Sequence, residues 1–570
     1  MTLPRRCFVC CLVAACFSLS FPRFLLAQST NRQIGTQFEV TADPLVERPE
    51  GQPCVVTLFS GYTFAHFSDT TQTFPFTPPA SCQGPWKKVV FDIDFSENGG
   101  AQFDRTASVY LGNTNLYFGT TPEPLAVLTN TWHLERDVTD YSALLTTPQT
   151  GTIVLGNCTS DCGAPFNTLN GVFTVNASLE FYSANQGSGQ NQGQGQGRVP
   201  DVVLPLEQSN GSGINLPAFL FNPTDQFSTT FTLPTNIERA YLDVVSQSQS
   251  NDEQWFACFP NDLASINLLF GCGNTDFRET EVTIDGQPAG IAPVSAWVYT
   301  GFLPDQWVPS PAVQTLDFVP YRVNLTPFAA LLSDGNPHTI SLSMFNDDSY
   351  FSETASLLLF LDKGSTKVTG GILKNTLSAP SPVVTENLQG TSTVTGTIGV
   401  TSDRKFTISG YVNTSHGKVS TSIQEHQNFE STSTINFDTV NFSVLDQLTS
   451  VQNNVSTVTT VSDGEGTVVT NNDFSFPITV DVKLPVPSAH FGLTVATTQK
   501  YNSDAQVFSE GELQQFSSVT NSGSATDVSP AQSSQEFTQF GSDGGFYDCQ
   551  IASNSNTLTN VSRGCNPKGR

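Results

Sequence analysis

Apolar and polar positions alternate with a period of two through most of this chain, in short runs cut by Gly, Pro, Asn and Asp. Lys88 to Phe95, Thr106 to Leu111, Thr152 to Leu155, Val172 to Tyr182, Phe227 to Leu233 and Ser356 to Leu361 are such runs, rich in β-branched and aromatic residues. Long stretches with the 3.6-residue period of a helix are almost absent, so the pattern predicts an all-β protein.

The order of the runs repeats. Lys88 to Phe95, Phe103 to Gly112 and Asp137 to Leu145 are followed, in the same order, by Arg239 to Ser246, Phe277 to Gly286 and Val323 to Leu332. A repeat on this scale is one folding unit used twice, here a duplicated β-sandwich. In this register Asp104 and Arg105 stand where the second copy has Arg278 and Glu279. The tract 185–199, mostly Gly and Gln, offers no side chain that could anchor a core and reads as a linker. The expected units are residues 30–184 and 200–365, joined by that linker, and a Ser/Thr-rich β module over 366–570. A cleft between the two sandwiches is the natural place for a ligand.

Composition narrows the function. The 570 residues include 51 acidic and 24 basic ones, a formal charge of -27, which disfavours a nucleic-acid groove or an anionic membrane surface. Residues 1–29 carry Arg5-Arg6, an apolar run from Cys7 to Leu19 and the small-residue site near Ala27, the layout of a secretory signal, so a secreted or periplasmic protein is expected. A twin-arginine route and a lipid site at Cys16 are variants of this reading. No later apolar stretch is long enough to span a membrane, and the protein is expected to act as a monomer.

Outside that segment eight cysteines fall into local pairs: Cys54 with Cys82, Cys158 with Cys162, Cys258 with Cys272, and Cys549 with Cys565. An even count in an exported chain reads as four disulfides, although eight cysteines allow 105 connectivities. His66, His133, His338, His426 and His490 are scattered without a ligand motif, so neither a metal nor a cofactor is expected. Ser415-His416 lacks a nucleophile elbow and reads as a surface turn.

Several short runs point to a family. Gly61-Tyr62-Thr63-Phe64, Pro78-Pro79 before Ser81-Cys82, Gln102-Phe103-Asp104-Arg105, Val109-Tyr110-Leu111-Gly112, Glu123-Pro124 and Val154-Leu155-Gly156-Asn157 resemble the plant-type peptide N-glycanase A family, the peptide-N4-(N-acetyl-β-glucosaminyl)asparagine amidases. Asn251 to Phe256, Phe277-Arg278-Glu279, Tyr299-Thr300-Gly301, Leu325 to Phe328 and Leu359 to Asp362 are similar to the family's second domain, and Gly410-Tyr411-Val412 with Ser415 to Lys418 to its C-terminal region. A second likeness, through Leu233 to Leu242 and Asp137 to Tyr141, is to the bacterial type-F peptide N-glycanases, which are built from two eight-stranded jelly rolls.

These resemblances imply two tandem jelly rolls, followed here by the β-rich C-terminal module. They imply hydrolysis of the amide between asparagine and the first N-acetylglucosamine of glycopeptides, releasing the intact glycan as glycosylamine and leaving Asp. The type-F catalytic aspartate, in an Asp-Arg pair, falls on Asp104. A second carboxylate that precedes a Trp falls on Glu253, with Gln254 intervening before Trp255. A third falls near Asn157, where this chain carries an amide. Such chemistry needs a base, an oxyanion stabiliser and a proton donor for nitrogen, and two carboxylates in unlike environments can divide those roles.

Arg105 is assigned to substrate binding through its planar donors. Trp255 and Trp307 are candidate sugar platforms. Glu123 and Asn157 are further candidate contacts. Each has a plainer competitor: an ion pair, a core indole, or a turn. The sparse charge and a sequence pI near 4.4 also suit operation in acid. The rival functions are a non-catalytic carbohydrate-binding protein and a cell-surface adhesive one, since the same fold hosts all three.

Overall fold

The computed structural model describes residues 41–565 except 124–128, 165, 167, 185–197, 208–215, 265–271, 303–306, 442–444, 485–493, 528–530, 543 and 556. The signal-like segment and nearly all of the Gly/Gln tract lie outside the described residues.

The first sandwich is built from β1 (Cys54–Phe64), β2 (Thr71–Phe76), β3 (Trp86–Glu97), β4 (Thr106–Leu111), β5 (Thr114–Thr120), β6 (Asn130–Asp137), β7 (Gln149–Leu155) and β8 (Phe173–Ser183). One sheet runs β1-β8-β3-β6 and the other β2-β7-β4-β5. Alternation along β8 turns Phe173, Val175, Ala177, Leu179 and Phe181 inward, where they meet Val89, Phe91 and Ile93 of β3 in one apolar cluster.

The second sandwich comprises β9 (Val202–Pro205), β10 (Ala218–Leu220), β11 (Phe227–Thr232), β12 (Ile237–Gln249), β13 (Glu279–Ile284), β14 (Gln287–Pro293), β15 (Tyr321–Asn324), β16 (Pro337–Phe345) and β17 (Tyr350–Leu361). Its sheets run β10-β17-β12-β15, with β9 also on β17, and β11-β16-β13-β14. Strand for strand this is the order of the first sandwich, with β4 and β13 in equivalent places, as the repeat predicts.

The four expected disulfides, Cys54–Cys82, Cys158–Cys162, Cys258–Cys272 and Cys549–Cys565, are all formed. No described helix is long and apolar enough to cross a membrane.

The two sandwiches meet along β5, the edge of its sheet. Thr120 N–H donates to Thr315 O at 2.9 Å and Phe318 N–H donates to Phe118 O at 2.8 Å, so a segment of the second unit covers an edge that would otherwise be open. The Tyr117 hydroxyl donates to Leu316 O at 2.6 Å. A Cβ on Gly119 would lie 2.1 Å from that same carbonyl, so only glycine permits the approach.

Twelve strands between Thr369 and Val561 form one further sheet. Its two longest members, Thr393–Thr414 and Gly417–Asp438, are joined by a turn in which the Ser415 N–H and hydroxyl donate to Asp362, so Ser415-His416 is a hairpin turn. The sequence reads this tail as separate. Instead Val400, Phe406, Ile408, Phe429, Phe437, Leu445 and Val480 share one continuous core with Leu242, Trp255, Phe256, Phe328 and Leu357 of the second sandwich. The start of the described chain is also tied to the sheet: Ala42 N–H donates to Gln535 and the Tyr547 hydroxyl donates to Ala42 O.

Because a substantial part of that core comes from the tail, deletion of residues 366–570 is expected to leave the remainder aggregated. A monodisperse, cooperatively melting fragment in gel filtration and calorimetry would contradict the shared core.

The interior is also rich in carboxylates. Burial raises Glu97 and Glu207 to about 8, and Asp276, Asp347 and Glu353 to about 7. Each retains its proton in the folded chain at pH values where the unfolded chain has lost it. The folded state therefore binds more protons, and stability falls as pH rises from about 4.5 to about 8. The melting temperature is expected to be at least about 5 °C higher at pH 5 than at pH 8; equal values in a calorimetric pH series would refute this.

Candidate active site

Asp104 and Arg105 sit on the coil that enters β4, and Thr121 follows β5. The Arg105 N–H donates to Thr121 Oγ1 at 2.9 Å and the Thr121 N–H donates to Arg105 O at 2.7 Å, so the ladder between β4 and β5 continues past both strands and sets this coil. Gln102, buried, steadies it from behind: its amide donates to Cys158 O at 3.0 Å and its oxygen accepts from the Arg105 guanidinium at 2.5 Å. The Cys158–Cys162 bridge thus braces the loop behind the Asp-Arg pair.

From the second sandwich, Tyr299 and Thr300 bring Gly301 against Asp104. The Thr300 hydroxyl donates to Thr121 O at 3.0 Å, and the Gly301 N–H donates to the Asp104 carboxylate. A Cβ on Gly301 would fall 2.2 Å from Asp104 Oδ1 and 3.0 Å from Glu123 Oε2. No side chain fits there.

Glu253 lies in the 3-10 segment Ser250–Ala257, directly after β12. Ser250 has φ 56°, a left-handed conformation that turns the chain out of the strand. Three buried groups then pin the segment. Asp252 forms a fully buried ion pair with Arg278 at 2.8 Å and accepts the N–H groups of Asp348 and Ser349, while Trp255 and Phe256 enter the core. Glu253 stays half-buried, and the Ser248 hydroxyl, which also meets the Tyr299 hydroxyl, donates to its backbone carbonyl at 3.2 Å.

The electrostatics tie these groups together. Burial raises Asp104, while the Gly301 N–H and the Arg105 charge oppose the rise. Burial and then the Asp104 charge push Glu253 up to about 7. Burial lowers Arg105 against the pull of Asp104 and Glu123. Two carboxylates from different sandwiches therefore feel each other, and Glu253 can be a proton donor in weak acid.

Of the residues singled out in the sequence, Asp104, Arg105, Glu123 and Glu253 come together here, all half-buried. Pro124 lies outside the described residues. Three expected substrate contacts do not reach the site. Trp255 is 1% exposed, its ring 6.5 Å from Phe429 of the long sheet, and Trp307 is 0% exposed; both are core indoles. Asn157 is 2% exposed and fully engaged, its amide donating to Phe64 O and Gly171 O and its oxygen accepting from Cys158 N–H. Buried groups without access to solvent cannot meet a glycan.

Gly301 and Tyr299 escaped notice as site residues, since nothing local in Tyr-Thr-Gly tells what lies opposite. Scattered histidines also meet acids, as in Asp92, His133 and Glu135, or Glu238, Asp362 and His416. His133 there is hydrogen-bonded to Asp94 and Glu135, which raise it to about 9 against the cost of burial. A cavity of about 1410 Å³ lies between the second sandwich and the long sheet; Tyr321, Phe474 and Glu425 are among its lining residues, whereas Asp104 and Glu253 are not. Asp104, Arg105, Glu123 and Glu253 all lie outside that cavity.

Gly301→Ala is expected to displace Asp104 and lower kcat at least about 100-fold with the melting temperature little changed. Near-normal turnover of the variant would show that the close approach is not needed.

Residues 44–376 match the family model described as peptide N-acetyl-β-D-glucosaminyl asparaginase amidase A. The chain is 29% identical over 400 residues to the peptide-N4-(N-acetyl-β-glucosaminyl)asparagine amidase A of Prunus dulcis, an alignment covering 68% of this chain and 67% of that one. Among solved structures it is similar to a peptide-N(4)-(N-acetyl-β-D-glucosaminyl) asparagine amidase at 15% identity and a TM-score of 0.34, over 54% of this chain and 96% of that one. It is also similar to PNGF-II at 12% identity and a TM-score of 0.35, over 54% and 65%.

Proposed function

The chain belongs to the peptide N-acetyl-β-D-glucosaminyl asparaginase amidase A family, and from that premise we infer that it hydrolyses the amide joining an asparagine side chain to the first N-acetylglucosamine of an N-glycan. The observation that carries the assignment of residues is the meeting of Asp104 and Glu253 across the sandwich interface, with Glu253 raised to about 7 in part by Asp104.

The reaction adds water to the side-chain carbonyl carbon, breaks the C–N bond, and leaves Asp in the peptide and a glycosylamine on the sugar. Asp104, held by the Gly301 N–H and next to Arg105, takes the proton from the attacking water. Glu253, protonated below about pH 7, delivers a proton to the departing nitrogen, without which the amine is a poor leaving group. Arg105, steadied by Gln102, presents its charge to the carbonyl oxygen or a sugar hydroxyl, and Glu123 flanks it. Four disulfides suit an oxidising compartment, which fits a secreted or periplasmic enzyme.

The test is mass spectrometry of a defined glycopeptide. Wild-type enzyme is expected to release the whole glycan and leave the peptide about one mass unit heavier, as Asn becomes Asp. Asp104→Asn is expected to lower kcat about 10²–10⁴-fold while glycopeptide still binds; unchanged turnover would remove Asp104 from the chemistry.

The pH profile follows from the same groups. Activity needs Asp104 ionised and Glu253 protonated, so kcat is expected to fall as pH rises through about 7. Glu253→Gln is expected to lose most activity together with that alkaline limb. A limb that persists unchanged in the variant would assign it to another group.

A further inference from the structure

Beside Glu253 the surface carries an apolar cluster that packing within the chain does not require. β10 is an edge strand whose alternation turns Ala218 and Leu220 inward and Phe219 and Phe221, just beyond its end, outward. Phe219 is 43% and Phe221 59% exposed, so two phenyl rings stand side by side in water. Tyr350, at the start of β17 and two residues from the Ser352 that pairs with Phe219, completes the group. Its ring centroid lies 6.0 Å from Phe219 and 5.6 Å from Phe221, and the two phenyls are 6.1 Å apart.

The cluster is held in place before any ligand arrives. The Phe221 N–H and the Asn222 amide donate to Asp225 at 2.8 Å each, and the Thr224 N–H donates to Asn222, which stiffens the turn that presents Phe221. The Tyr350 hydroxyl donates to Gln249 Oε1 at 3.4 Å, its partner on β12. Gln249 in turn approaches Thr106 of the first sandwich, at 3.5 Å. Tyr350 is also near enough to Glu253 for that carboxylate to raise its phenol, second to burial. The patch is continuous with the candidate active site.

We propose that Phe219, Phe221 and Tyr350 form a carbohydrate subsite, which binds a neutral pyranose of the glycan beyond the sugar attached to asparagine. The inference rests on the amidase reading above. Aromatic faces match the C–H face of a pyranose, and the Tyr350 hydroxyl and the Asp225 and Glu253 carboxylates at the margin accept or donate to its hydroxyls. The Asp225 carboxylate disfavours an anionic ligand. A peptide side chain is the competing apolar occupant, but the sugar core is the part of the substrate that does not change with the sequence around the asparagine, so a rigid aromatic surface is better matched to it.

The experiment is calorimetric titration of wild-type protein, Phe221→Ala and Phe219→Ala with a free β1,4-linked N-acetylglucosamine dimer and, separately, with the unglycosylated acceptor peptide. Both rings are exposed, so the variants are expected to melt as wild type does. Affinity for the sugar is expected to fall about five- to tenfold in each variant, with affinity for the peptide unchanged. In turnover, KM is expected to rise by a similar factor for a glycopeptide with an extended glycan, and to stay constant for one bearing a single N-acetylglucosamine. Unchanged sugar affinity, or weakened peptide binding in its place, overturns the subsite. If wild-type protein cleaves no glycopeptide yet its sugar affinity depends on these rings, the amidase reading falls and the subsite stands.

Discussion

The contact of Gly301 with Asp104 is the constraint around which the site is arranged. A backbone N–H from one sandwich reaches a carboxylate of the other, with no room for even a methyl group between them. That distance depends on the docking of residues 315–318 along the edge strand β5, where Gly119 allows backbone to approach backbone. Main-chain hydrogen bonds across a strand edge are short and directional, so they hold the two units in register better than side-chain packing alone. The separation of groups carried by the two units is thereby fixed by main-chain bonds.

Duplication supplied the scaffold, and the two copies use the same position differently. At the entrance to β4, Asp104 and Arg105 face the cleft, half-exposed. At the entrance to β13, Arg278 is buried against Asp252 and Glu279 pairs with Arg404 of the long sheet. Removing either member of the Arg278–Asp252 pair would strand a buried charge, and such pairs define a geometry more than they add stability. Here the geometry they define is that of the segment bearing Glu253. The second copy's ion pair thus orients the carboxylate that opposes the first copy's.

The long sheet is part of this arrangement. Phe429 packs against Trp255, which lies within the Glu253 segment, and against Phe277 beyond it. An indole that the sequence offered as a sugar platform is instead an anchor between the sheet and the second sandwich. Aromatic contact with the substrate passes to Phe219, Phe221 and Tyr350 in the reading proposed here, residues whose exposure arises from strand alternation at a sheet edge.

The amino-acid sequence by itself determined the all-β class, the duplication and the local cysteine pairs, because a period of two, a repeated order of runs and short loop spacings are properties of neighbouring residues. The Asp-Arg pair was legible for its resemblance to a motif, not for anything its neighbours reveal. Only the tertiary structure decided which acids face each other, that Trp255, Trp307 and Asn157 are enclosed, and that the tail shares a core with the second sandwich. Burial and charge-charge proximity depend on residues far apart in the chain: Asp104, Glu253 and Gly301 meet through an interface of carbonyls and glycines whose local sequence carries no mark of its partner.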